Sequence, residues 1–151
     1  VAIAVGQNFT DVHVIEVKPM ETGKVALDAA ALGKGLDARG FVVVDGIYFD
    51  TDKATLQAQS GPALQEMGKL LAARPDLRVF VVGHTDSQGS LAHNLKLSED
   101  RAKAVVEALA NQHNVNRDRL AGHGVGPLAP QDSNASEDGR AKNRRVVLVL
   151  R

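Results

Sequence analysis

Gly83-His84-Thr85-Asp86 follows an apolar run, LRVFVVG, whose Gly83 it shares. Downstream stand Asn94, Leu97, Ser98 and Arg101, at offsets of three, four and seven residues. On a helix turning 100° per residue these four fall within about 60° of one another. Asp86 offers a carboxylate to a cation, and Arg101 offers a forked guanidinium to an anion. A pocket bracketed by the two complements a zwitterion, such as the amino and carboxylate end of an amino acid. A third acid, Asp52 in YFDTD, follows an earlier apolar run. Parallel neighbouring strands would bring it close to Asp86. The same pair also fits a salt bridge that merely orders the loop, and spacing alone leaves both readings open.

Other chemistry is poorly supplied. Cysteine is absent, which excludes disulfides, thiol catalysis and cysteine-ligated metal. His84, Asp86 and His93 can be drawn as a metal site, but no HExxH or comparable ligand spacing supports it. Ser98 lies in a helical pattern and lacks a nucleophile elbow. GHGVGP reads as a glycine-rich loop without the lysine and hydroxyl of a phosphate cradle. No catalytic residue, metal or cofactor is expected, and the chain is not expected to be an enzyme. Lys+Arg and Asp+Glu are 18 each in 151 residues, so the net charge is zero and no nucleic-acid partner is expected. Aromatic residues are 3%, too few for a base-stacking platform.

Several elements must position these residues. Residues 1–18 read as two short extended runs, and 24–38 as a helix stopped by Gly40. This first segment, 1–40, is expected to be the end of a preceding domain or an extra layer on the main one, which spans 41–151. FVVVDGIYFD is a strand candidate in which Asp45-Gly46 marks either a hairpin turn or a bulge. Ser60-Gly61-Pro62 caps a helix carrying Leu64, Met67, Leu70 and Leu71 on one face. LRVFVVG is a buried strand. A second helix runs from about Leu91 to Gln112, with Leu95, Ala102, Val105, Val106 and Leu109 inward and Arg101 on its flank. RLAGHGVG is a short strand feeding a glycine-rich loop, 127–138 is loop by composition, and VVLVL is the last strand. The order β-α-β-α-β-loop-β defines an α/β sandwich of the α+β kind, helices packed on a small mixed sheet. Val1 in place of Met points to a processed or excised chain, and membrane association is expected only through a segment upstream of it.

GHTD, N-x-x-L-S-x-x-R-A and N-R-R occur in that order, within GHTDSQG, LSEDRA and GHGVGPLAPQDSNASEDGRAKNRRV. These strings resemble the OmpA-like C-terminal domain, whose relatives include Pal-type lipoproteins and MotB-type stator proteins. The resemblance covers about 41–151. It implies non-covalent binding of peptidoglycan through the diaminopimelate of the stem peptide. On that resemblance Asp86 takes the amine, Arg101 takes the carboxylate, Thr51 and Asp52 line the pocket, and Asn94 and Leu97 occupy further pocket positions. It also implies a periplasmic location beside the outer membrane and cell wall of a Gram-negative bacterium. The alternative function is a protein–protein module of an envelope secretion or motility complex. Of the adjacent Arg144 and Arg145, at most one is expected near the pocket.

Overall fold

The computed structural model describes residues 27–151, so the extended runs expected over residues 1–18 lie outside the described residues. Its main elements are α1 (Ala29–Arg39), β1 (Phe41–Val44), α2 (Gly61–Ala73), β2 (Val79–His84), α3 (Leu91–Gln112), β3 (Leu120–Gly126), α4 (Glu137–Asn143) and β4 (Val146–Leu150). Asp28 starts α1 by accepting from the Ala31 amide at 2.6 Å, which satisfies one orphan donor of the first turn. The helix stops where Gly40 turns left-handed at φ 77°. Leu32 and Leu36 of α1 join the same hydrophobic cluster as the rest of the domain.

The sheet order is β1-β4-β2-β3. β2 and β3 are parallel, joined by the α3 crossover, and β4 runs antiparallel to both β1 and β2. β1 and β2 therefore point the same way, but they are not the neighbours expected from the sequence. The last strand separates them because Val146, Val147 and Leu148 are all buried, and a run apolar on both faces belongs inside a sheet. Helices α1, α2 and α3 cover the face carrying Val42, Val44, Val79, Val81, Val146 and Leu148.

FVVVDGIYFD is neither a hairpin nor one bulged strand. β1 ends at Val44, and the chain turns through Gly46 at φ 85°. Ile47 then enters the core. The short return comes later, where Phe49 bridges Leu56 around residues 50–55. Ser60 explains that course. Its side chain does not cap α2; instead Oγ accepts from the Tyr48 amide at 2.8 Å and donates to the Tyr48 carbonyl at 2.9 Å. Ser60 is fully buried, so Ser60→Ala is expected to lower stability by about 1–3 kcal/mol, the cost of orphaning buried backbone groups. A urea unfolding midpoint unchanged from wild type would contradict this.

α3 occupies the range read from its pattern, begun by Ser90, whose Oγ accepts from the His93 amide at 3.2 Å. The glycines of RLAGHGVG lie within β3, not in a loop. A Cβ on Gly124 would stand 2.2 Å from the Glu99 amide nitrogen, and one on Gly83 would stand 2.1 Å from the Ser98 carbonyl oxygen. Glycine is present there because the α3 backbone rests directly on the β2–β3 pair.

Candidate functional site

The close seating of α3 decides what happens to its polar stripe. Asn94, Ser98 and Arg101 are buried along with Ala102, Val105 and Leu109. Arg101 is 8% exposed, which corrects its expected place on the helix flank. The covering material is backbone rather than an apolar face. Arg101 Nε donates to the Lys53 carbonyl at 2.9 Å and Nη2 to the Asp50 carbonyl at 3.3 Å. The guanidinium lies over the Phe49 ring, 5.0 Å from its centroid, a favourable seat for a cation. The loop after β1 is thus moulded around Arg101. Burial holds the Arg101 pKa below its ordinary value, while Asp52 and Asp86 pull it up and Arg144 adds to the depression.

Asp86 stands just after the end of β2, 8% exposed. Its Oδ1 accepts from the Gln88 amide at 2.9 Å. Its Oδ2 accepts from Arg144 Nη1 at 2.7 Å. The loop-ordering salt bridge left open by spacing therefore exists, but its cation is Arg144, not Arg101. Arg144 also reaches Glu137 at 2.6 Å, and the Asp86 bond raises its pKa foremost. Neither Arg144 nor Arg145 enters β4, which begins at Val146. Both line one cleft with Arg101, where at most one arginine of the pair was expected.

The remaining expected residues gather at the same end. Asn94 donates from Nδ2 to the Gln88 carbonyl at 2.7 Å and so fixes the loop that carries Asp86. Asp52 sits at φ 56°, an αL turn residue that asparagine and aspartate tolerate better than most. Its Oδ1 lies 2.6 Å from His93 Nε2. Thr51 is exposed on that loop and Leu97 half-buried on α3. His84 faces Arg145: burial first, then the Arg145 charge, lowers its pKa to about 4, with a backbone bond to Ala129 opposing. Sequence reasoning missed Phe49, the Lys53 carbonyl and the pairing of Arg144 with Asp86. The N-R-R string was the one signal for Arg144, and nothing in the pattern marks a carbonyl.

Known proteins share this fold and sequence. The OmpA family matches residues 48–144, and the chain belongs to that family. It is 35% identical over 137 residues, 91% of its length, to outer membrane protein Omp38 of Acinetobacter baumannii, of which it spans 37%. It is 41% identical over 104 residues, 69% of its length, to peptidoglycan-binding protein ArfA of Mycobacterium tuberculosis, of which it spans 32%. The chain thus spans about a third of these relatives. The crystal structure of the peptidoglycan-associated lipoprotein from Burkholderia pseudomallei superposes with a TM-score of 0.64 at 30% identity, covering 76% of this chain and 92% of that one.

Proposed function

We propose that this domain binds peptidoglycan non-covalently, through the diaminopimelate of a stem peptide, and tethers an envelope protein to the wall in the periplasm. One observation carries the reading. Arg101 is a buried cation with no carboxylate within salt-bridge distance among the described residues; its bonds go to neutral carbonyls, and Nη1 has no partner there. An unpaired buried charge is costly, so an anionic ligand has a ready-made place. Arg101 takes the carboxylate of diaminopimelate and Asp86 takes its amine. Both Asp86 oxygens already accept one bond each, and a carboxylate has capacity for more. Thr51 and Asp52 form the rim, Asn94 holds the Asp86 loop, and Leu97 flanks the ligand chain.

The action is holding, not turnover. The wall offers many copies of the ligand, so a modest affinity per site suffices once an anchor keeps the domain beside them. Isolated sacculi test this. The protein is expected to sediment with diaminopimelate walls, to be released by free meso-diaminopimelate, and to ignore lysine-type walls. Asp86→Asn is expected to weaken retention more than about tenfold, the loss of one charge-assisted contact, while the fold survives because Arg144 keeps Glu137. Equal retention on both wall types would overturn the proposal.

A further inference from the structure

Arg101 opens onto a cleft of about 370 Å³ between the Val43–Phe49 segment and the turn from α4 into β4. Four permanent cations line it: Arg101, Lys142, Arg144 and Arg145. One carboxylate, Asp45, lines it as well, and that residue is exposed. Two of the cations are occupied. Lys142 pairs with Asp132 at 2.6 Å, and Arg144 with Asp86 and Glu137. Arg145, like Arg101, has no carboxylate partner among the described residues. Its Nη1 donates to the Asn143 carbonyl at 3.4 Å and its Nη2 to the Ala129 carbonyl at 3.0 Å.

Beside it lie polar atoms with nothing to bond. Arg145 Nε and His84 Nδ1 are both sealed from solvent and without a partner, and His84 as a residue is 8% exposed. Buried polar groups are nearly always satisfied, and leaving them unmade is costly. A half-buried guanidinium without a carboxylate partner and an excess of positive charge together describe an incomplete oxyanion site. Arg145 lines the same cleft as Arg101.

We infer that this cleft holds a second carboxylate on Arg145. The inference rests on the wall-binding reading for the source of that carboxylate: the stem peptide that presents diaminopimelate to Arg101 carries the α-carboxylate of its γ-linked glutamate one residue away. Arg145 thereby distinguishes the peptide from the free amino acid, and amidated from unamidated walls.

Calorimetry on the intact chain tests it with three ligands: meso-diaminopimelate, L-Ala-γ-D-Glu-meso-diaminopimelate, and the same tripeptide with the glutamate α-carboxylate amidated. The unamidated tripeptide is expected to bind about tenfold tighter than the amino acid, the effect of one charge-assisted contact. Amidation is expected to erase that gain, and Arg145→Gln to erase it while diaminopimelate affinity holds. Should Arg145→Gln fail to fold, the amidated ligand on unaltered protein decides the same question. A gain that survives amidation overturns the inference and leaves the wall-binding reading standing. Failure of diaminopimelate to bind, with Arg145-dependent binding of the tripeptide intact, overturns the Arg101–Asp86 assignment and supports the second site. Inorganic phosphate is the control for source: it supports the oxyanion site if it cancels only the tripeptide's gain, and overturns it if it leaves that gain intact or weakens free diaminopimelate to the same degree.

Discussion

Gly83→Ala is expected to cost about 3 kcal/mol or more and to remove wall binding in whatever fraction still folds. The added methyl would meet the Ser98 carbonyl oxygen at 2.1 Å. That oxygen is backbone in the middle of α3, so no side chain can swing aside and the whole helix must lift. Arg101 sits one turn further along the same helix and bonds the loop after β1. Lifting α3 therefore breaks the site and the core together. Gly124→Ala is expected to behave the same way, with its methyl 2.2 Å from the Glu99 amide nitrogen. Gly61→Ala is the control: nothing lies within 4 Å of its added methyl, and alanine favours the helix it starts. Urea unfolding of the three variants checks the contrast. Similar midpoints across them would refute the close seating of α3.

The second large effect belongs to Arg101. Arg101→Ala is expected to abolish retention on sacculi, and also to lower stability by about 2–4 kcal/mol, through two orphaned carbonyls and a stripped Phe49 ring. Loss of function in that variant alone would thus confound fold with ligand. Arg101→Lys separates them. The lysine keeps the charge and much of the stem but not the fork. It is expected to recover most of the stability and little of the binding, at least about tenfold below wild type. Full binding by Arg101→Lys would show that a point charge suffices and that the forked contact is not used.

The residues that carry local chemistry were legible where the signal was local. α3 announced its limits through its apolar spacing, and Asp86 and Arg101 stood out as opposite charges, though the structure pairs Asp86 with Arg144. What escaped was set by contacts distant in sequence. Arg101 looked like a flank residue because apolar spacing registers only apolar neighbours, whereas its cover is the backbone of 50–53. The partner of Asp86 is Arg144, 58 residues away, and no spacing rule reaches that far. The glycines of β3 read as a loop because glycine usually marks flexibility; here it marks the approach of a neighbouring helix. Asp45-Gly46 carried a genuine turn, but the buried hydroxyl of Ser60 decided where the chain went afterwards.

Placing β4 between β1 and β2 has a consequence for how the molecule comes together. Phe41 pairs with Val149, and β2 meets the same strand on its other side. During vectorial synthesis β1 emerges well before β4, its one hydrogen-bonded neighbour strand among the described residues. Such long loop closures slow assembly. The two halves of the sheet lock only when β4 wedges between them.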